Sequence, residues 1–600
     1  MRQNKIKSIV KSNFFIAALI TVVAFVLVLL FCDIKYEISD DFVVDAILSG
    51  AYTGEYNPYM LFSNVLLGYV LVFLYSHTGY ISWYFVNLMV MGIVSLFTVN
   101  YICLRKNNKI VGVLFAVLAT VFLSNDLFIL PTFTKSASAA IAAGGLLLIE
   151  TLFTRSGEMP PGKKRSASQI VSVIAAFVLM LSGSLLRFWC VYLVAPFVAM
   201  MFLLKVMEQR KDEKIVRIML TKAGFCLLIL LGLFAFQYIG IFIRNQSPEY
   251  KYYYQYNSAR AGITDTGKVD REDYEKEFEA HDLNLLDFLM FESWNFTDND
   301  IYPIERLEEV GKIYQSAYKN STAPVARVIH SFLQPYSLMN PVFLGGILLG
   351  LLAIAIDRKS ARSVLLCYLG LFVMLGVFFY IGRFPYRIIY GLCFSLMVSI
   401  LSCVSMKDVP KKGLRKALVL LTVYLVISHV PTYIKDQSYK DLPYKEYIEE
   451  ANEIFSRSSA YGGIKYRYVI TAANPHEKFI KHMEDDSEHY YLCDFWTIIQ
   501  SSFYHYKPWE RFPLNYWNDN YSCLGGITMA YPDNRECWED NGIDGLNPYK
   551  SLINDNIYVV DNHFIEVKFL YLRKYYYPNV NAELVEVIDG FNIWKFYLES

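Results

Sequence analysis

Two adjacent carboxylates, Asp40 and Asp41, follow shortly after the first long apolar run of the chain, which ends at about Phe31. At a boundary between water and lipid such a pair suits general-base chemistry, because partial desolvation and like-charge repulsion raise one pKa toward neutrality. The same pair suits a divalent cation, so magnesium or manganese held by Asp40 and Asp41 stays open. The structural alternative is an acidic, solvated loop in which Ser39, Asp40 or Asp41 caps a helix. The surrounding segment, DIKYEISDDFVVDAILSGAYTGEYNP, also carries Asp33, Glu37, Asp45 and Glu55 against a single lysine, Lys35. With nine histidines and no HxxxH or HxH spacing, a zinc site is not expected.

A second set of residues is cationic: Lys135, Arg187, Arg244, Arg383 and Arg387 each stand where an apolar run meets a polar segment. Charges at the bilayer rim need a partner, and the planar fork of arginine matches phosphate. These five are candidate contacts to an anionic substrate. Glu55 and Asp126 are kept with them as candidate substrate contacts, and are also the carboxylates that would neutralise them internally. A third set lies in an acidic, aromatic stretch, where Tyr250, Tyr252, Tyr253, Tyr254, Tyr256 and Trp294 accompany Asp298 and Asp300. Aromatic faces with carboxylates suit carbohydrate, since sugar C–H faces stack on rings while hydroxyls seek acceptors. A small helical subdomain bearing interfacial aromatics is the competing reading.

The elements that must position these groups are apolar helices. The chain is 54% hydrophobic over 600 residues, and windows of roughly 20 apolar residues recur along the first 431 positions and then stop. The expected organisation is a polytopic α-helical membrane domain over 1–431, with about eleven spans, and a soluble α/β domain over 432–600. The ten cysteines form no CxxC pair, and in the tail Cys523 and Cys537 are the two to consider for a disulfide. A net charge of zero, without a Lys/Arg-rich tail, argues against nucleic acid as a partner.

Basic residues set the expected topology. Arg2, Lys5, Lys7 and Lys11 place the amino terminus in the cytoplasm. Counting Tyr59 to Tyr75 as a span would invert every later basic loop. As a helix lying in the outer interface it leaves Lys163-Lys164-Arg165, Arg210 to Lys214, Asp357-Arg358-Lys359 and Lys407 to Lys416 cytoplasmic. The outer loops are then 33–80 and 245–335, and the carboxyl-terminal domain is extracytoplasmic. In that domain KYRYVITAA, HYYLCDF and NIYVVD read as strands, His476 to Asp486 as a helix, Gly525-Gly526 as a turn, and LVEVIDGFNIWKFYL as a hairpin turning at Asp589-Gly590. Without a GxGxxG, P-loop or GxSxG motif, acceptor binding or structural support is its expected role.

On these residues the chain resembles the GT-C superfamily of membrane glycosyltransferases. Asp40-Asp41 is similar to the acidic pair of the first outer loop in that family. LSGAYTGEYNPYMLFSNVLLGYVLVFLYSHTGYISWY resembles the juxtamembrane region before the second span, and 432–600 an appended soluble domain. A second resemblance, through YNSARAGITDTG and WNFTDNDIYPIERL, is to Gram-positive bacterial membrane proteins to which no activity is attached.

The GT-C resemblance implies an inverting sugar transfer from a polyprenyl-phosphate carrier to a glycan, lipid or protein acceptor at the bacterial cell surface, within the polysaccharide-building chemistry of the envelope. It also implies a base at Asp40 or Asp41 and arginines on the carrier phosphate. The bilayer, the carrier-linked sugar and the acceptor are the implied partners. The alternatives are a non-enzymatic exporter or flippase of lipid-linked glycan, and a surface-polysaccharide polymerase or ligase. A carrier would concentrate ionisable groups near the bilayer midplane, whereas here the mid-span residues are mostly apolar.

Overall fold

A computed structural model describes residues 12–154, 165–209, 219–266, 275–321, 324–333, 340–408, 410–435, 477–503, 506–517, 520–562 and 564–599. The basic clusters at 2–11, 163–164 and 210–214, and the strand expected in KYRYVITAA, lie outside the described residues.

Among those residues nine helices are long and apolar enough to cross a bilayer, and the chain is a multi-pass helical membrane protein. The first is α1 (Asn13–Phe31), capped by the Ser12 side chain. Two of the eleven expected spans do not count among the nine. Pro341–Ile356 is apolar but only 16 residues long, about 24 Å at 1.5 Å per residue against a hydrocarbon core of about 30 Å. Lys412–Lys435 is a 24-residue helix that runs through the boundary expected at 431.

Between α1 and the next long helix the chain forms two short ones, α2 (Ser39–Ser49) and α3 (Val65–His77). Helix α2 ends at Gly50, whose φ of 79° is the left-handed conformation that glycine adopts without a Cβ penalty. Helix α3 starts six residues later than the expected Tyr59, because Asn64 accepts from the Leu66 N–H and opens it there. Its 13 residues span about 20 Å, too short to cross. The second long helix is α4 (Trp83–Lys106), followed by α5 (Lys109–Phe128) and α6 (Phe133–Leu152).

Helix α6 is almost entirely buried in the bundle. Its sequence, FTKSASAAIAAGGLLLIETL, explains the position, since small side chains let neighbouring helices approach closely. A Cβ on Gly144 would stand 2.6 Å from Met180 Cγ and 2.9 Å from Ala176 O. Putting the most deeply packed helix at the centre also puts its amino terminus in the middle of one end of the bundle.

The two ends of the bundle differ in chemistry. At one end Glu150 takes Lys106 at 2.8 Å and Lys205 at 3.3 Å, and Lys407 donates to Arg105 O. The other end carries α2, the helices Pro248–Thr264, Leu285–Glu292 and Ile304–Ser321 of the 245–335 region, and the carboxyl-terminal domain.

That domain is a five-stranded mixed sheet in the order β2-β1-β3-β5-β4. Strands β1 (Tyr490–Asp494), β2 (Tyr521–Leu524) and β3 (Ile557–Val560) run parallel, and β4 (Val580–Ile588) and β5 (Phe591–Leu598) form an antiparallel hairpin. The hairpin turns at Asp589 and Gly590, both with positive φ, as the sequence predicts. The strand before Gly525-Gly526 and the helices Pro532–Asp540 and Ile565–Tyr575 were not foreseen. Cys523 and Cys537 are both free thiols, correcting the disulfide considered above. Their sulfurs point to different carbonyls, Gly525 O and Tyr52 O.

Candidate functional site: an open carboxylate beside two arginines

The amino terminus of α2 supplies the carboxylates. The residue that caps it is Ile38, which contributes no side-chain hydrogen bond. Ser39, Asp40 and Asp41 are therefore the first helical residues rather than caps. Asp41 is fully buried. Its Oδ1 accepts from the Tyr84 hydroxyl at 2.6 Å and from the Phe133 backbone N–H at 2.9 Å, the latter being one of the orphan donors at the start of α6. Its Oδ2 is buried with no hydrogen-bond partner. Burial holds the Asp41 carboxyl well above the usual carboxylate range, against the opposing pull of its bonds to Tyr84 and Phe133. A basic oxygen that lacks a donor, with two donors fixing its twin, is what a general base offers once an acceptor hydroxyl meets it.

Asp40 is half-buried beside it and adds charge that raises Asp41 further, while Arg387 opposes. Arg187 lies with its guanidinium 4.9 Å from the ring of Phe62 and 4.9 Å from that of Phe133. Phe133 thus ties the two halves of the site: its N–H holds Asp41, its ring holds Arg187. Burial pushes the Arg187 guanidinium down to about 10, with Arg387 and Arg383 pushing the same way and Asp40 opposing. Cations outnumber anions around it. Among the described residues, the side chains of Asp40, Arg187 and Arg387 make no hydrogen bond or ion pair to protein. Two arginines without side-chain acceptors, within electrostatic reach of Asp40 and Asp41, make this end of the bundle anion-seeking.

The other sequence candidates are committed elsewhere. The Lys135 ammonium is fully buried between Glu37 at 2.7 Å and Asp126 at 2.8 Å, and donates to Leu130 O at 3.0 Å. Held by two carboxylates and a carbonyl, Lys135 braces α6 against α5 and the segment that follows α1. Arg383 pairs with Asp265 at 2.7 Å. Arg244 lies 3.9 Å from the ring of Tyr254, and Glu55 is exposed on the loop after α2. Asp298 is buried under the hydroxyls of Tyr571 and Tyr576, and Asp300 pairs with Lys550. Those two carboxylates bind the 245–335 region to the carboxyl-terminal domain. Two tyrosines of that region act likewise, Tyr250 donating to Asp533 and Tyr253 to Ile527 O, while Tyr254 donates to Met60 O in the segment between α2 and α3.

Sequence reasoning missed Tyr84, Phe62 and Phe133. Tyr84 lies 43 positions from Asp41 inside an apolar run, so no local pattern marks it. A readable signal did exist for Asp45, which follows Asp41 at i+4 and therefore shares its helix face. Asp45 accepts from the hydroxyls of Tyr36, Tyr75, Ser82 and Tyr506, at 2.9, 2.6, 2.8 and 2.8 Å. Burial raises it to about 6.

As for a metal, Asp40 and Asp41 offer two carboxylates facing two guanidinium groups. Among the described residues no cluster of three His, Cys, Asp or Glu side chains adds to them. Magnesium is commonly held by one or two carboxylates, its remaining positions filled by water and substrate phosphate, and Asp40 and Asp41 match that donor count.

No family model matches the chain, and no curated protein matches it. Among solved structures, the crystal structure of ArnT from Cupriavidus metallidurans in the apo state aligns over 97% of each chain, with 11% identity and a TM-score of 0.38. A superposition that loose carries no argument about this chain.

Proposed function

We propose that the protein is a membrane glycosyltransferase of the GT-C type. It moves a sugar from a polyprenyl-phosphate carrier to a cell-surface glycan, lipid or protein acceptor on the extracytoplasmic side of a bacterial membrane. The observation that carries the reading is the juxtaposition at the amino terminus of α6. There the open Oδ2 of Asp41 stands with Arg187 and Arg387, which have no protein acceptors. The GT-C resemblance of the sequence supports the same reading, and the basic end of the bundle then faces the cytoplasm.

In this reaction Asp41 Oδ2 takes the proton of the acceptor hydroxyl as its oxygen attacks the anomeric carbon. The bond from that carbon to the carrier phosphate oxygen breaks, and its electron pair stays on the phosphate. Arg187 and Arg387 meet the charge that grows there. Because that charge is larger in the transition state than in the bound substrate, fixed guanidinium groups lower the barrier rather than only tightening binding. Asp40 tunes Asp41 through its charge, and attack from the face opposite the departing phosphate gives inversion.

The test is sugar transfer from a radiolabelled polyprenyl-phosphate donor in membranes carrying the protein. Asp41→Asn keeps the Oδ1 acceptor for Tyr84 and Phe133, so the fold is expected to hold while transfer falls by at least about a thousandfold, a loss typical of an essential acid–base group. Full transfer by Asp41→Asn would remove the proposed base.

A further inference from the structure

The carboxyl-terminal domain contains a cleft of about 550 Å³, of the size small-ligand sites occupy. Lys481, Glu484, Asp485, Ser501 and Ser502 line it together with residues of the 506–516 segment. Three rings shape it: Tyr506 stacks on Phe512 at 4.4 Å and 14°, and Tyr516 meets Phe512 at 5.4 Å. Phe512 is buried, while Tyr506 and Tyr516 are partly open. The charges balance. Lys507 pairs with Glu510 at 3.2 Å, and Arg511 donates to the carbonyls of Gly79 and Ser49, leaving Lys481 opposed by Glu484 and Asp485 on its own helix. A cleft with ring faces, hydroxyls and carboxylates but no net charge suits a neutral polyol with apolar C–H faces.

Its floor belongs to the catalytic helix. Phe42, next to Asp41 in α2, lines the cleft and packs edge-on to Tyr506 and Phe512 at 5.2 and 5.0 Å. The Tyr506 hydroxyl reaches on to Asp45. One short helix therefore presents Asp41 to the anion-seeking end of the bundle and Phe42 to the cleft.

We propose that this cleft binds a neutral saccharide, namely the sugar portion of the acceptor. The acceptor assignment rests on the glycosyltransferase reading; saccharide binding does not. A ring face of the sugar stacks on Tyr516, and its hydroxyls bond to Ser501, Ser502, Glu484 and Asp485.

The experiment is saturation-transfer NMR on the full-length protein in nanodiscs, titrated with maltotriose, cellotriose, galactotriose and chitotriose. At least one trisaccharide is expected to receive saturation, strongest at its ring C–H protons. Tyr516→Ala should weaken it at least tenfold, whereas Tyr516→Phe, which keeps the ring, should retain it. Lys481→Trp, placed on the exposed rim to fill the cleft without disturbing the core, should abolish it and serves if Tyr516→Ala does not fold. No binding by any of the four sugars, or binding that survives Lys481→Trp, overturns the proposal. Asp41→Asn separates the two readings: saccharide binding is expected to persist in it while transfer is lost. Binding alongside normal transfer in that variant would sink the base assignment and leave the cleft standing.

Discussion

Asp41 and Asp45 stand one helical turn apart on the same face of α2, and both are fully buried, yet the structure uses them in opposite ways. Asp45 is saturated: four hydroxyls, from the segment after α1, from α3, from the residue before α4 and from the carboxyl-terminal domain, converge on its two oxygens. Asp41 has one oxygen satisfied and one left open beside arginines. Burial alone therefore does not mark a catalytic carboxylate, because it raises the pKa of both. What separates them is the accounting of acceptors. A buried oxygen without a donor costs about 1–3 kcal/mol, and such a deficit is retained where a ligand completes it.

The largest expected effect that would break this contrast is on catalysis. Arg187→Ala and Arg387→Ala should each lower kcat/KM about 10²–10³-fold, as loss of a preorganised charge does, with the melting temperature hardly moved because neither guanidinium holds a protein acceptor. Lys135→Ala should show the reverse pattern. It strands Glu37 and Asp126 as buried charges, and a loss of about 3–5 kcal/mol is expected in chemical denaturation. If Lys135→Ala left stability intact and cost only activity, Lys135 would return to the list of ligand contacts.

Next in size is Asp45→Ala, which leaves four hydroxyls without their acceptor and should cost on the order of 3 kcal/mol, with transfer per folded molecule largely kept. Asp45 also predicts a pH effect of definite sign. Its carboxyl rises from 3.8 unfolded to about 6 folded, so its contribution favours the fold fully below pH 4 and is lost as pH rises through about 6. Asp45→Asn should flatten the stability curve in that window; an unchanged slope there would show that Asp45 does not titrate as described.

The smallest effect is a shift rather than a loss. Transfer should fall on acidification at a pH above the ordinary aspartate range, because Asp41 must be ionised to act. Tyr84→Phe removes a donor that holds the Asp41 pKa down, so the acid limb of the rate profile should move upward while the alkaline plateau stays within about tenfold. A profile unmoved by Tyr84→Phe would argue that the limb belongs to another group.

The residues differ in how far the sequence announced them. Asp40, Asp41 and the five cations stood out in the sequence because charge beside an apolar run is costly and therefore conspicuous. Asp298, Asp300 and Asp126 were equally conspicuous, and for them, as for Lys135, the same cost is met by internal partners far away in the chain. Tyr84 and Phe133, which orient the candidate base, carry no charge and sit in apolar runs, where their types read as packing. The cleft at Tyr506 and Tyr516 was invisible for the same reason, since tyrosines are dense throughout this chain.

By itself the sequence determined the apolar helices, the helix at α3 too short to cross, the hairpin at Asp589-Gly590 and the acidic pair, because hydropathy period, turn residues and charge act locally. Only the tertiary structure decided which carboxylate is open and which cation is unpaired. Pairing depends on groups as distant in sequence as Asp45 and Tyr506, and whether a buried charge has a partner is a property of packing that no local pattern encodes.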